Sequence, residues 1–474
     1  MIDRLKPYPE YQASGVCWLG RIPAHWAVRR MKYVLREKDA RSTEGKEQLL
    51  RVSQYTGVTQ RLRTDGSDGP DTRAESLVGY KRVQPDELVV NIMLAWNGSL
   101  GVSRYTGIVS PAYCVYRFGS GVHPWYFHYL LKTPLFKGRI KSVSTGVVES
   151  RLRLYSDDLY CLEALLPSSN EQAAIVKFLD HATRRLNRAI RTKQKVIALL
   201  SEQKEVIIHR TVTRGLDPDV DLKPSGILWL GDIPRHWRMV SLRMRYSVEL
   251  GKMLDGKRIT GRNSVPYLRN RDVQWDRILV DDLPVMDISV EEYPRYTVKR
   301  EDMLVCEGGQ VGRSAFWDEQ LPICGFQKAL HRVRAKDPNS DYPRFLFYLM
   351  NIAATRGAFA ADGNENTFAH LTCEKLRRHR FPFAPYIEQR NIANFLDVEL
   401  RHCQITIDHI KGQITLLQEL RTRLIADVVT GKLDVREAAR HLPDDTDEAE
   451  PYKEEIDTIE EEFQESETMG EAYG

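Results

Sequence analysis

The sequence lacks a long hydrophobic run and a targeting segment. No stretch approaches the roughly 18 apolar residues of a membrane-spanning helix, and the first residues, Met1-Ile2-Asp3-Arg4, resemble neither a secretory signal nor a transit peptide. The seven cysteines form no C-x-x-C pair, which argues against a disulfide framework and against a zinc knuckle. We therefore expect a cytoplasmic protein with no membrane association.

The usual catalytic motifs are also missing. Gly-Lys occurs at positions 45, 251, 256 and 431, but never with the following Ser or Thr of a P-loop. An amino-methyltransferase needs Asn/Asp-Pro-Pro-Tyr/Phe, which residues 110–113 do not supply, and no carboxylates are spaced as in metal-dependent nucleases. No zinc-protease or serine-hydrolase signature appears. The sequence therefore predicts a chain that is not an enzyme and has no metal or cofactor of its own.

Acidic residues are scarce in the body of the chain and concentrated at its end. Residues 443–474 carry fourteen acidic residues and one basic residue, so residues 1–442 have 68 Lys and Arg against 51 Asp and Glu. A net charge of +17 on the body favours a polyanionic partner, although a solvated basic surface would look the same. The acidic segment is predicted to be a disordered, solubilising tail.

A tandem repeat organises what is present. The block Ser-Gly-x-x-Trp-Leu-Gly-x-Ile-Pro-x-His-Trp at residues 14–26 returns at residues 225–237, with nine of thirteen positions identical. Its turn residues and paired tryptophans predict a packed corner more than a catalytic site. His25 and His236 have no acidic residue or cysteine ligand nearby in sequence, so we interpret them as structural.

Each repeat closes with a long helical pattern. In residues 170–213 a mostly apolar seam alternates at spacings of four and three, the pattern of a coiled coil. Its positions are Ile175, Leu179, Ala182, Leu186, Ala189, Lys193, Val196, Leu200, Gln203 and Ile207, of which Lys193 and Gln203 are polar. Residues 387–430 repeat this at an offset of 217, including Glu-Gln-x-x-Ile-x-x-Phe-Leu-Asp. Each helix is predicted to pack against the other.

Between block and helix, each half contains strand, glycine-loop and helix patterns. In the first half the loop is at residues 95–99 and an aromatic helix follows Pro124. In the second half the loop is at residues 308–312 and the helix follows Pro343. The predicted fold is α+β: two mixed α/β domains joined by two long antiparallel coiled-coil helices with a pseudo-two-fold internal repeat. The predicted boundaries are 1–165 and 216–383 for the domains, 166–215 and 384–435 for the helices, and 443–474 for the tail.

Basic residues cluster in the loops of both halves and are candidates for contacts to phosphates or base edges. They are Arg61, Arg63, Lys81, Arg82, Lys137, Arg139, Lys141, Arg151 and Arg153 in the first half, and Lys257, Arg258, Arg269, Arg271, Arg313, Arg377 and Arg378 in the second. For each of them, ordinary surface exposure is the alternative interpretation.

The order and duplication of these motifs resemble the specificity (S) subunit of type I restriction-modification systems, over residues 14 to about 434. Residues 93–99, 108–113 and 305–309 are also similar to that family, whereas the acidic tail lies outside the pattern. The resemblance implies a non-catalytic DNA reader with two target-recognition domains, one for each half of a bipartite, asymmetric sequence.

The resemblance also implies partners. Two modification (M) subunits would carry S-adenosylmethionine and methylate adenine in each half-site, and restriction (R) subunits would supply ATP- and Mg-dependent translocation and cleavage. Antiparallel helices would act as a ruler that sets the gap between half-sites, with centres about 34 Å apart. Candidate M-docking residues begin the helices: Phe178, Leu179, Asp180, Phe395, Leu396 and Asp397. Packing within the chain is the alternative for these six.

Two rival functions stay open at this point. One is a self-contained DNA modification enzyme with an unrecognised site, and the other is a coiled-coil scaffold that binds only proteins. The sequence does not specify the recognised bases or the length of the gap, because diverged recognition loops have no simple residue-to-base code.

Overall fold

The structure, a computed structural model, describes residues 5–61, 74, 76–148, 151–254, 261–359 and 370–443. Arg63, Lys257, Arg258 and the tail from residue 444 onward lie outside these ranges. The chain divides into two compact units: unit 1 comprises Met1–Thr192 with Gln413–Gly474, and unit 2 comprises Lys193–Gly412.

Two helices dominate the described residues. The α-helices are α1 (Pro124–Leu131), α2 (Pro134–Val143), α3 (Ser156–Cys161), α4 (Ser169–Arg214), α5 (Leu242–Arg245), α6 (Tyr293–Tyr296), α7 (Pro343–Thr355), α8 (Cys373–Arg378), α9 (Tyr386–Val429) and α10 (Arg436–Arg440). The 46 residues of α4 span about 69 Å at 1.5 Å per residue. Gly215 and Gly431 follow α4 and α9 with positive φ, the left-handed conformation that ends helices. The prediction of two long helices is confirmed.

The two long helices pair antiparallel. In unit 1, Nη1 of Arg421 donates a hydrogen bond to Oδ1 of Asn187 at 2.7 Å. In unit 2, Nζ of Lys204 donates to Oε1 of Gln404 at 2.9 Å. From the first contact to the second, the residue number on α4 rises by 17, from 187 to 204, and the residue number on α9 falls by 17, from 421 to 404. Antiparallel helices require this opposite change.

The apolar seam of α4 departs from the predicted positions after Leu186. Ile175, Leu179, Ala182 and Leu186 are buried as predicted, in one cluster with Leu424 and Val428 of α9. Beyond them Ile190 and Ile208 are buried, whereas Val196 and Gln203 are exposed. An α-helix has 3.6 residues per turn, so a straight helix rotates by about 20° per heptad relative to a strict 3.5-residue pattern. The buried stripe has therefore moved by one residue.

This shift predicts unequal costs for two similar truncations. Ile190 is 2% exposed and Val196 is 39% exposed. We expect Ile190→Ala to lower the free energy of unfolding by about 2–4 kcal/mol, because it leaves a cavity, and Val196→Ala to lower it by less than about 1 kcal/mol. Urea unfolding of the two variants tests this, and a larger cost for Val196→Ala would restore the seam expected from the sequence.

Unit 1 is built on an antiparallel four-stranded sheet in the order β4-β11-β8-β9. Its strands are β1 (Tyr11–Ala13), β2 (Arg21–Pro23), β3 (Ala27–Arg30), β4 (Leu35–Lys38), β5 (Leu50–Ser53), β6 (Gly57–Gln60), β7 (Lys81–Val83), β8 (Leu88–Asn91), β9 (Leu100–Val102), β10 (Gly107–Val109), β11 (Tyr113–Phe118) and β12 (Glu163–Leu166). Strand β8 is buried along its whole length, which suits its β-branched residues and central place. Tyr126 and Phe127 of α1 are buried in the same core as Leu88 and Val90, so the aromatic face of α1 belongs to the core.

Unit 2 repeats this plan with an antiparallel sheet in the order β16-β24-β21-β22. Its strands are β13 (Leu222–Pro224), β14 (Asp232–Pro234), β15 (Arg238–Ser241), β16 (Tyr246–Leu250), β17 (Ser264–Leu268), β18 (Val273–Gln274), β19 (Arg277–Ile278), β20 (Val285–Asp287), β21 (Met303–Cys306), β22 (Ser314–Phe316), β23 (Gly325–Phe326), β24 (Leu330–Ala335) and β25 (Arg380–Phe383). The pair β15-β25 matches β3-β12, and β13-β14 matches β1-β2. A three-stranded sheet, β20-β17-β23, has no counterpart of that order among the described residues of unit 1.

The repeated block docks onto the start of a long helix through a glutamate carboxylate, which is buried in unit 1 and partly exposed in unit 2. In unit 1, Glu171 accepts hydrogen bonds from the hydroxyl of Tyr8 at 2.7 Å and from the indole of Trp26 at 3.1 Å. Nε2 of His25 lies 2.9 Å from the same carboxylate. In unit 2, Glu388 accepts from the indole of Trp237 at 3.0 Å, and Nε2 of His236 lies 2.9 Å from it. The block is a packed corner, and the acidic partners absent from its own sequence come from the long helices.

The glutamine that follows each glutamate completes this attachment. The side chain of Gln172 accepts from the backbone N–H of His123 at 2.8 Å and donates to the carbonyl of Pro167 at 2.9 Å. Gln389 accepts from the N–H of Tyr342 at 2.9 Å and donates to Ala384 at 2.8 Å. Each Glu-Gln pair thus attaches its long helix to the block and to the start of α1 or α7.

Candidate nucleic-acid interface

Two lysines of α2 lie against the loop that follows β8. A 3-10 helix at Ala95–Asn97 ends at Gly98, whose φ is 94°. A Cβ built on Gly98 would lie 2.4 Å from Cε of Lys137, so this lysine can approach only because residue 98 has no side chain. Nζ of Lys141 lies 5.4 Å from the ring centroid of Trp96, within the range of a cation–π contact. Burial lowers the pKa of Lys137.

A hairpin places further basic residues beside this loop. The backbones of Thr145 and Arg153 exchange two hydrogen bonds, at 2.9 and 2.8 Å, and the N–H of Leu154 donates to Ile92 at the end of β8. Val147, two residues after Thr145, is 97% exposed. We call the resulting exposed surface of unit 1 the recognition face; it comprises Met93, Leu94, Lys141, Val147, Val148 and Arg151.

The other basic candidates of unit 1 have partners within the unit. The side chain of Lys81 is buried, with Nζ 3.7 Å from Glu37 and 3.9 Å from Asp39. Nε of Arg82 donates to Glu47 at 3.0 Å. Arg61 is exposed and directly follows β6, which pairs with β5. Arg139 is half-buried, 5.7 Å from the ring of Trp18 and 3.8 Å from Glu163. Lys137, Lys141, Arg151 and Arg153 are thus brought together, and Arg61 and Arg82 form a second group around residues 47–49.

In unit 2 a different network surrounds the glycine loop at residues 308–312. Nδ2 of Asn270 donates to the carbonyl of Gly308 at 3.2 Å, and Nη2 of Arg313 donates to the carbonyl of Asn270 at 3.0 Å. Arg269 is bound to Asp272 at 2.9 Å, and this hydrogen bond raises the pKa of Arg269. Arg269 and Arg313 therefore hold the loop through contacts within the unit. Arg271 is exposed, with Nε 3.9 Å from Asp272.

Arg377 and Arg378 lie on α8. Nε of Arg377 donates to the carbonyl of Val248 at 3.0 Å. Arg378 is exposed and pairs with Glu374 one turn earlier at 2.8 Å, a surface ion pair worth less than about 1 kcal/mol. Arg378 can exchange this pair for a phosphate at little cost.

Two solved structures have a fold similar to that of this chain. A chain from work on complex assembly and conformational transition of the type I R-M system superposes with a TM-score of 0.66 at 15% identity, covering 87% of this chain and 99% of that one. The HsdS subunit from Thermoanaerobacter tengcongensis superposes with a TM-score of 0.50 at 16% identity, covering 87% of this chain and 98% of its own. The chain has the HsdS fold. No protein-family model matches the sequence, and no curated protein matches it significantly.

The six candidate docking residues differ in their exposure and in their hydrogen bonds. Phe178, Leu179 and Leu396 are fully buried inside their own units. Asp180 accepts a hydrogen bond from the hydroxyl of Tyr129, and Asp397 accepts from Tyr348 and Arg344. Phe395, 40% exposed, presents an apolar surface to solvent.

Sequence reasoning missed the apolar part of the recognition face. Met93 and Leu94 lie within residues 93–99, which resemble the family but carried no predicted role, and no sequence pattern marked Val147 or Val148 as exposed. A Val-Val pair carries no local signal of exposure, since the same residues are typical of buried strands. Within the described ranges, no helix combines the length and apolarity needed to cross a bilayer, and no three His, Cys, Asp or Glu side chains converge as a metal site.

Proposed function

We propose that the chain is the DNA sequence-recognition subunit of a type I restriction-modification complex, reading a bipartite, asymmetric target with one half-site for each unit. The observation that carries this proposal is the pairing of two units of one architecture with different exposed loops: a basic, apolar hairpin in unit 1 and a glycine loop beside Arg271 in unit 2. Two related but unlike surfaces suit two unlike half-sites. The HsdS fold supports the same assignment.

In this role the exposed arginines and lysines bind the duplex in two ways. Contacts to phosphate oxygens position each unit without reading sequence, while bidentate arginine contacts to guanine and apolar contacts to the thymine methyl group read the base edges. The recognition face carries both kinds of side chain, with Lys141 and Arg151 beside Val147 and Val148.

The scaffolding part of the proposal rests on apolar side chains left exposed on the long helices. In unit 2 they include Val196, Leu199 and Val206 on α4 and Ile387, Phe395, Val398 and Ile405 on α9. Apolar residues that recur at helical spacing on a solvent face indicate a partner surface. We assign this surface to two modification subunits, which would carry S-adenosylmethionine. Restriction subunits that use ATP and Mg would join that complex.

Mapping of methylated adenines by single-molecule sequencing tests the function. A strain that expresses this chain with its modification partner should methylate adenine in both halves of one interrupted motif, whereas the purified chain alone should neither methylate nor cut DNA. Activity of the chain alone would favour the rival enzyme. A lack of salt-sensitive DNA binding by the complex would favour the protein scaffold, since phosphate contacts make binding fall steeply with salt.

Paired substitutions in the two units should affect different half-sites. In the complex, Lys141→Gln with Arg151→Gln should weaken binding and relax base preference only in the half-site read by unit 1. Arg271→Gln with Arg378→Gln should do so only in the other half. Each lost base contact costs about 1–3 kcal/mol, so a change of roughly 10-fold or more in preference is expected. Binding to a library of randomised half-sites measures this, and relaxation of both halves by one pair would contradict the division of labour.

A further inference from the structure

At positions related by the internal repeat, the two long helices carry different charges. From residue 181 to residue 201, α4 contains six basic residues and no acidic one. The part of this run in unit 1 holds Arg184, Arg185, Arg188 and Arg191, and the first three are exposed. Spacings of four and three place Arg188 beside both Arg184 and Arg185 on one face of the helix.

The facing part of α9 in unit 1 does not neutralise this charge. Between residues 413 and 426 it contributes Arg421, Arg423 and a single acidic residue, Glu419. Arg421 is bound to Asn187 of α4. Asp427, just beyond this stretch, pairs with Arg423 at 3.5 Å and with Lys432 at 3.0 Å. The helix pair of unit 1 therefore exposes three adjacent arginines, which we call the arginine stripe: Arg184, Arg185 and Arg188. Nε of Arg184 donates to the backbone carbonyl of Asp180, one turn earlier, at 3.1 Å.

The internal repeat provides the comparison that makes this charge informative. At the offset of 217, the counterparts of Arg184, Arg185, Arg188 and Arg191 on α9 are Arg401, His402, Ile405 and Asp408. In unit 2 the acidic residues Glu202, Glu205, Glu399 and Asp408 accompany the basic ones on both helices. A coiled-coil partner face would need no such difference. The stripe is a property that only one of the two halves has acquired.

We propose that the arginine stripe binds backbone phosphates of double-stranded DNA next to the half-site read by unit 1, so that the complex holds that side of its target through the helix as well as through the loops. This inference rests on the proposed function. Arginine suits the task because its planar guanidinium stays charged and can bind two phosphate oxygens. The contacts carry no sequence information, and they make binding stronger and more salt-dependent on the unit 1 side only.

The salt dependence of DNA binding by the complex with its modification partner tests this. Each phosphate contact adds about 0.9 to the slope of log affinity against log salt, so Arg184→Gln, Arg185→Gln and Arg188→Gln together should lower the slope by about 2 to 3. Between 50 and 200 mM salt the wild type would then lose roughly 40-fold more affinity than the variant. The methylated motif should not change.

Two matched variants complete the design. Lys195→Gln, Arg210→Gln and Arg401→Gln remove the same charge from exposed positions of unit 2 and should leave the slope within about 1 of the wild type. Arg184→Lys, Arg185→Lys and Arg188→Lys keep the charge and should keep the slope. Circular dichroism confirms that each variant is folded.

The other outcomes overturn the inference and separate it from the function. An unchanged slope with normal specific binding removes the stripe from the DNA contact and leaves the proposed function intact. Failure of the glutamine variant to co-purify with the modification partner would assign the stripe to a protein contact instead. If the wild-type complex shows no salt-sensitive binding, the proposed function fails and the inference fails with it.

Discussion

A four-residue insertion in both long helices should lengthen the gap of the methylated motif by about two base pairs. We place it after Leu186 in α4 and after Arg421 in α9, because Asn187 and Arg421 are in contact and the antiparallel pairing is then kept on both sides. Four residues add about 6 Å along the helix, and a base pair of B-DNA rises 3.4 Å. The sequences of the two half-sites should stay the same.

The effect on the original target should be large. With the old gap, only one half-site can be engaged, and about half of the specific binding free energy is lost, so affinity should fall by roughly two orders of magnitude. Methylation mapping and binding to targets with altered gaps measure both effects. The same four residues inserted after Pro443, outside both long helices, serve as the control and should change neither. An unchanged gap after the helix insertion would end the ruler hypothesis.

Replacement of Glu171 by alanine should destabilise unit 1 by about 3 kcal/mol. Its carboxylate is 3% exposed and accepts hydrogen bonds from Tyr8 and Trp26, whose own side chains are buried. Without it, a buried hydroxyl and a buried indole N–H lose their acceptor, and each stranded group costs about 1–3 kcal/mol. Glu388→Ala is the matched control: the carboxylate is 28% exposed, so water can replace it and the cost should be about 1–2 kcal/mol.

Chemical denaturation with hydrogen exchange distinguishes the two variants. Exchange should accelerate in residues 8–26 for Glu171→Ala and in residues 225–237 for Glu388→Ala, because local opening follows the contact that is lost. Equal costs would contradict the effect assigned to burial, and faster exchange in the other unit would show that these carboxylates do not hold the blocks in place.

Much of the architecture could be predicted because its signals are local or repeated. The four-three spacing of α4 appears within the helix itself, and the block Trp-Leu-Gly-x-Ile-Pro-x-His-Trp appears twice at one offset. The strands β8 and β21 likewise appear as short apolar runs. Such patterns require no knowledge of what lies across the core.

The seam beyond Leu186 could not be predicted in the same way. Whether Ala189 or Ile190 faces inward depends on the rotation of α4 relative to α9, and hence on the degree of supercoiling. A seven-residue pattern in the sequence does not contain that angle. The same holds for Arg269 and Arg313, which resembled ligand-binding residues until the fold placed Asp272 and Asn270 beside them.

The sequence by itself determined that the chain has two halves of one design, each with a tryptophan block, a sheet and a long helix, since repetition and periodicity are properties of residue order. Only the tertiary structure decided what each unit contains. Unit 1 contains the start of α4 and the end of α9. The backbone of Asp434, after α9, forms a β-bridge with the backbone of Lys6. Glu171 meets Trp26 across 145 residues. Contacts between such distant residues follow from burying apolar surface and satisfying buried donors at once, and no local pattern records them.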